Sequence, residues 1–216
     1  MPGRPAVTTV AVACASPLLQ RGILDLVREV AGMELVGSAR DPLGVLQLLR
    51  TTRPRVLVLC HALAPQLRDV MRADDHRPRL LLLSSRQHLG PRPVCGRQCA
   101  CGFVRDQAPT EHVLTMLRIL ASCDAPRTGL EICARCPAQS SLQLPTLPLS
   151  AREYEVFVRI GDGEGTSSIA GALGVSVKTI ETHRENIKRK LGLDSAHALL
   201  TAAVQWRDGE FMPGPD

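Results

Sequence analysis

The segment 176–191 is patterned for one regular element, an amphipathic helix. Val177, Ile180, Ile187 and Leu191 fall on one helical stripe, and Lys178, Glu181, Thr182, Glu185 and Arg189 fall on the other side. Ser176 stands where an N-cap is wanted, and Gly192 stands where a helix should stop. The chain has three lysines, Lys178, Lys188 and Lys190, and all of them lie in this helix. A charged outer face is by itself an ordinary solvated surface. Its meaning therefore rests on what flanks it.

Ser150 and Glu153 make a capping box ahead of the apolar residues Tyr154, Val156, Phe157 and Ile160. Gly161, Gly163 and Gly165 break that helix. Thr166 or Ser167 is placed to cap a short helix over 168–173, ending at Gly174, and Ser195 is placed to cap a last helix carrying Leu199, Leu200, Ala203 and Val204. Two short helices joined by a tight glycine-containing turn, the second polar and basic, form a helix-turn-helix.

The stretch from Leu149 to about Leu200 resembles the LuxR/NarL-type helix-turn-helix domain. The likeness runs through Leu149, Ser150, Arg152, Glu153, Glu155 and Val156, then Ile169, Ala170, Leu173, Gly174, Val175 and Ser176, and on through Lys178, Thr179, His183, Asn186, Ile187, Lys190, Leu191 and Ser195. The resemblance implies double-stranded promoter DNA as partner, with phosphate contacts from Lys178, Lys188 and Lys190. Thr179, Thr182 and Asn186 can reach backbone or base edges. Glu181 and Glu185 occupy the exposed middle of the helix, where a carboxylate can accept from cytosine N4. Cytosines are expected opposite one of them; the competing role is surface pairing with Arg184, Lys188 or Arg189. A single helix-turn-helix buries little surface, so a homodimer on paired half-sites is expected. Leu199, Leu200, Ala203 and Val204 are candidates for its seam, or equally for intradomain core.

Charge agrees with this placement only locally. The whole chain has formal net charge +5 and pI ≈ 8.9, yet residues 149–216 carry eight basic and ten acidic side chains. Residues 178–190 hold five cations against two anions. Affinity for phosphates should follow that local patch and fall with salt.

The preceding residues read differently. Apolar β-rich runs at 8–14, 33–38, 56–60, 80–83 and 102–104 alternate with helical spacing at 18–30, 42–49 and 110–120. The runs at 56–60 and 80–83 are nearly continuous, as in strands buried on both faces. The expected class is α/β, a doubly wound, flavodoxin-like parallel sheet, followed by a four-helix all-α domain. The expected boundaries are 1–121 for the sheet domain, 122–148 for a linker rich in Pro and Cys, 149–207 for the helical domain and 208–216 for a frayed tail. A short helix is expected within the linker near 128–135. Gly90, Pro91, Pro93 and Gly96 leave room for at most one helical turn between 86 and 101.

The sheet domain resembles the receiver domain of response regulators, with one departure. Receivers hold Mg²⁺ on acidic residues after the first strand and take phosphate on an aspartate ending the third. Those places fall here on Cys14 and Ala15, and on Cys60; the hydroxyl position falls on Ser84 and the lysine position near Arg105. Mg²⁺ needs oxygen ligands, and a cysteine cannot form an acyl phosphate. The pocket is expected to be vestigial: no Mg²⁺, no aspartyl-phosphate switch, Cys14 and Cys60 filling the vacated space.

Eight cysteines are many for such a chain. With no signal peptide and no long apolar run, a cytoplasmic setting and reduced thiols are expected. Cys95, Cys99, Cys101, Cys123, Cys133 and Cys136 cluster in sequence. Cys133 and Cys136 form a C-x₂-C pair, half of a common metal site, so zinc or an iron–sulfur cluster is a candidate beside plain thiols, and plain thiols without a cofactor are the simpler expectation. A thiol oxidoreductase is disfavoured because that pair lies among prolines instead of opening a helix after a strand. No hydrolase triad, P-loop or dinucleotide motif is present, so the chain is not read as an enzyme. It resembles orphan atypical regulators of actinomycetes, which implies an activator of antibiotic or pigment genes, with RNA polymerase and a small-molecule effector as further partners. The alternative is a metal or redox sensor whose thiol state gates DNA binding.

Overall fold

The computed structural model describes residues 7–67, 77–91, 100–124 and 136–211. The chain divides into two compact units, Met1–Ser85 with Pro93–Gln143, and Arg86–Arg92 with Leu144–Asp216.

The first unit runs β1 (Thr8–Ala13), α1 (Pro17–Glu29), β2 (Met33–Ala39), α2 (Pro42–Thr52), β3 (Val56–Cys60), a 3₁₀ turn (His61–Leu63), β4 (Arg79–Ser84), β5 (Ala100–Arg105), α3 (Thr110–Ser122) and α4 (Pro137–Ser140). All neighbouring strands pair in parallel, in the order β2-β1-β3-β4-β5. That is the doubly wound arrangement, whose carboxyl edge is the usual place for a site. Every residue of β3 is buried, which is why its sequence is an unbroken apolar run. Ser16 caps α1 by accepting from the Leu19 N–H, and Asp41 caps α2 through the Gly44 N–H at 2.9 Å.

Part of the expected linker belongs to this unit. The helix looked for near 128–135 lies outside the described residues, but α4 follows directly and covers the free side of β5. Ala138 is fully buried, the Gln139 side-chain amide donates to Ala100 O at 3.0 Å, and the Phe103 N–H donates to Ser141 Oγ at 2.8 Å. An edge strand presents unpaired backbone groups, and these side chains satisfy some of them. Polar residues that read as linker composition are doing that capping.

The second unit contains α5 (Ala151–Gly161), α6 (Thr166–Leu173), α7 (Val177–Lys190) and α8 (Ala196–Asp208). Val156, Phe157, Ile160, Ile169, Ile180, Ile187, Leu199, Ala203 and Trp206 form its core. Gly161 sits where α5 crosses α8: an added Cβ would lie 2.4 Å from Ala203 O. The Arg207 guanidinium donates to Gly161 O at 2.8 Å across the same contact.

Two expectations need correction here. The helix placed at 168–173 starts at Thr166, with Gly165 as N-cap and no side-chain cap; an extended glycine ends the preceding turn, so Thr166 is already helical. The tail placed from 208 is packed as far as Phe211. Gly209 ends α8 at φ +78°, and the Glu210 and Phe211 N–H groups return to Gln205 O. That turn sets the Phe211 ring 6.4 Å from both Phe157 and Trp206.

The same unit includes Arg86–Arg92, which the sequence alone assigns to the sheet domain. No helix forms over 86–91, in keeping with its glycine and proline; 92–99 lie outside the described residues. His88 is buried with its ring 4.4 Å from Trp206. The Gln87 and His88 N–H groups donate to Gly209 O at 2.7 and 3.1 Å. His88 Nδ1 accepts from the Gly90 N–H at 3.0 Å, so Nε2 carries the proton donated to Phe211 O at 3.0 Å. Burial lowers the His88 pKa below its ordinary value.

Candidate nucleic-acid interface

Two short helices and a turn build the candidate interface. Gly174 ends α6 at φ +65°, a left-handed conformation that favours glycine. Ser176 then opens α7, accepting from the Thr179 N–H at 3.1 Å and sharing a 2.8 Å hydrogen bond with the Thr179 hydroxyl. At the far end Gly192 takes φ +65° and the Leu193 N–H returns to Lys188 O at 2.8 Å, closing the helix. Arg152 of α5 fixes the turn from outside: it donates to Leu173 O at 2.8 Å while its other arm pairs with Glu155. Arg152 was legible only as part of a family likeness, since nothing in its spacing shows which carbonyl it reaches.

Helix α7 presents an exposed face of Lys178, Glu181, Thr182, Glu185 and Arg189 over buried Ile180 and Ile187. Val177 departs from the stripe assigned to it and is 42% exposed; as the first residue of the helix it projects beyond the reach of the core. The Thr182 hydroxyl donates back to Lys178 O at 3.0 Å, and Asn186 Oδ1 accepts from Arg189 at 2.9 Å. Thr179 is held at the cap.

The three lysines separate by position. Lys178 is exposed in the first turn. Lys188 Nζ lies 2.9 Å from Glu185 Oε2 along the same helix. Lys190 Nζ lies 2.7 Å from Glu153 Oε2, a carboxylate whose side chain is only 7% exposed. The Lys190 hydrogen bond, first, and the Ser150 backbone N–H, second, hold the Glu153 pKa down to about 2. Lys190 thus ties the end of α7 to the capping box of α5.

The candidate dimer seam on α8 also divides. Leu199 and Ala203 are buried in the core of the unit, whereas Leu200 is 43% exposed and Val204 half-buried.

The carboxyl edge of the first unit holds the five residues read as a vestigial pocket. Cys14 follows β1, Cys60 ends β3, Ser84 ends β4 and Arg105 ends β5, with Ser84 and Arg105 in register. Cys14, Cys60 and Ser84 are buried; Ala15 and Arg105 are exposed. None of the five is a carboxylate. Cys14 and Cys60 are joined in a disulfide, which corrects the expectation of two reduced thiols merely filling space. Of the cysteine cluster, Cys95, Cys99 and Cys133 lie outside the described residues. Cys101, Cys123 and Cys136 are half-buried, and among the described residues no three His, Cys, Asp or Glu side chains gather to hold a metal.

Residues 147–203 match the family model of bacterial regulatory proteins of the luxR family. Over those residues the chain is similar to that family, in the segment that holds α5 to α8. The chain is 27% identical over 211 residues to a probable transcriptional regulatory protein NarL of Mycobacterium tuberculosis, covering 94% of this chain and 97% of that protein. It is 28% identical over 192 residues to the oxygen regulatory protein NreC of Staphylococcus aureus, covering 83% and 88%. The fold matches the response regulator RcsB in complex with DNA (TM-score 0.57, 18% identity, 92% of this chain and 98% of that one). It also matches RcsB of Salmonella typhimurium (TM-score 0.52, 19% identity, 91% and 97%). No described helix of the chain is long and apolar enough to cross a membrane.

Proposed function

We propose that this regulator binds promoter DNA as a homodimer, inserts α7 into the major groove, and activates transcription without aspartyl phosphate. The observation that carries the reading is the helix–Gly174–helix unit presenting the lysine-bearing α7 with its polar face outward. A helix of this kind fits the major groove, and its N-terminal residues are those nearest the base edges. Lys178 then meets phosphate, Thr182 and Asn186 meet backbone or bases, and Glu181 or Glu185 reads cytosine. Leu200, which is exposed, and Val204, which is half-buried, form the dimer seam.

Independence from phosphate follows from the chemistry of the sheet edge. A thiol or disulfide sulfur at Cys60 offers no carboxylate oxygen for acyl phosphate, and Cys14 and Ala15 offer no hard oxygen side chains for Mg²⁺. The input is then a small molecule, a partner protein or thiol chemistry. The likeness to orphan actinomycete regulators supports antibiotic or pigment genes as targets, read in the cytoplasm with RNA polymerase as the activated partner. Mapping of bound genomic sites, paired with transcript levels in a deletion strain, tests this. Bound promoters whose transcripts fall on deletion support activation; transcripts that rise would make it a repressor. Phosphate transfer from a small phosphodonor that is lost in Cys60→Ala would overturn the phosphate-free reading.

A further inference from the structure

We propose that Cys14 and Cys60 form a reversible dithiol/disulfide centre at the carboxyl edge of the sheet, oxidised by hydroperoxides and restored by small dithiols. The inference goes beyond DNA binding and does not rest on it. β1 and β3 pair in parallel up to Ala13 and Leu59, which places the next residues, Cys14 and Cys60, side by side with Cα atoms 4.9 Å apart. That spacing lies within the range a disulfide needs. The backbone at both positions is set by the sheet ladder and by the Cys14 N–H bond to Ala39 O at 3.0 Å. The sheet therefore keeps the two sulfurs adjacent in the reduced state as well. The bond can form or open without rearranging the strands.

Both residues pack in the core of the unit, Cys14 at 1% exposure and Cys60 at 6%. Cys60 is the sulfur that a small reagent meets first, and hydrogen peroxide is the fitting oxidant. Cys60, the more accessible, attacks as thiolate: a sulfur–oxygen bond forms, the peroxide O–O bond breaks, and hydroxide leaves, giving a sulfenic acid. The Cys14 thiol then attacks that sulfur, the S–O bond breaks, and water leaves as the disulfide forms. Two sulfurs have lost one electron each and the two peroxide oxygens have gained one each. A small dithiol reverses the process by exchange through a mixed disulfide, becoming a cyclic disulfide itself and returning both protons to Cys14 and Cys60.

The position matters because it is where a receiver would carry its chemistry. Here a covalent tie between the ends of two adjacent strands takes the place of a phosphoryl group, and it closes a loop with a sequence separation of 46. Oxidation should restrict the unfolded chain and stabilise the sheet unit.

The test uses the full chain. Protein reduced with dithiothreitol, then exposed or not to hydrogen peroxide, is labelled under denaturing conditions with isotopically distinct alkylating reagents and mapped by peptide mass spectrometry. A Cys14–Cys60 linked peptide should appear with peroxide and vanish again on native treatment with dithiothreitol. The calorimetric transition of the sheet unit should rise by about 5 °C or more on oxidation. That shift should be absent in Cys14→Ser and in Cys60→Ser, each read separately so that one poorly folded variant does not decide the matter. Two outcomes overturn the proposal: both thiols remaining free after peroxide while other cysteines oxidise, or a linked peptide that dithiothreitol cannot open in the folded protein.

Discussion

Lys190 Nζ lies 2.7 Å from Glu153 Oε2, so the last residue of α7 is tied to the first turn of α5. Glu153 also accepts from the Ser150 N–H at 2.7 Å, completing the capping box. One carboxylate thus fixes a helix start and a helix end. Glu153→Gln should lower the stability of the second unit by on the order of 1 kcal/mol, as expected for losing a charge-assisted hydrogen bond at a cap. The single tryptophan, Trp206, lies in this unit's core, so its fluorescence during denaturant unfolding reads the effect.

The same pair sets an acid limit. The folded pKa of Glu153 is held to about 2, below its ordinary 4.5. Its contribution is therefore complete above about pH 4.5 and lost as pH falls toward 2. Trp206-monitored unfolding should show a pH-dependent loss across that window in the wild type and a weaker one in Glu153→Gln.

His88 gives a second window nearer neutrality. Its folded pKa is lowered, chiefly by burial, so the unfolded chain takes the proton more readily. The stability it supports is present above pH 6.5 and falls as the medium is acidified below that value. Protonating Nδ1 would also set two N–H groups against each other at Gly90. His88→Gln should remove this component while leaving the acid transition of Glu153 in place.

Gly161 tests the crossing of α5 and α8. Gly161→Ala would place a methyl group against Ala203 O, a backbone atom that cannot turn aside. Overpacking of this kind costs roughly 1–3 kcal/mol, read again by Trp206 fluorescence. Gly171→Ala, where an added Cβ meets nothing within 4 Å, is the control and should be neutral or slightly stabilising.

Much of this was legible in the sequence where one residue pattern had one structural outcome. The continuous apolar runs of β3 and β4, the Ser150–Glu153 capping box, and the Ser176 and Gly192 limits of α7 all follow from spacing and cap chemistry. Long-range partners were not. Nothing near Lys190 announces that its ammonium reaches Glu153, 37 residues away. A polar stretch such as Gln139 and Ser141 reads as linker because its value lies in meeting an edge strand far off in sequence. Glycine and proline speak against a helix over 86–91, where none forms, yet they give no sign that His88 packs on Trp206. The order β1-β3 brings Cys14 and Cys60 to the same edge of the sheet; that they bond depends on their registration there.

On the exposed face of α7, Lys178 and Glu185 test two proposed kinds of DNA contact. Lys178→Ala should weaken binding uniformly across sequences and reduce the salt slope by about 1. Glu185→Ala should change base preference at one position, if the pair it makes with Lys188 opens on DNA. Uniform weakening in Glu185→Ala would assign Glu185 to helix stability alone. Quantitative binding to a library with each base varied distinguishes these.

The central claim is that α7 reads duplex DNA, and its most direct measurement is competition binding by the full chain. Fragments selected from the source genome compete against random duplex of equal length, at fixed salt and in both thiol states. The account predicts a selected promoter fragment held at least roughly 10³-fold more tightly than random duplex, with the preference abolished by substituting Thr182 and Asn186 together. Equal affinity for every fragment in both thiol states would contradict it.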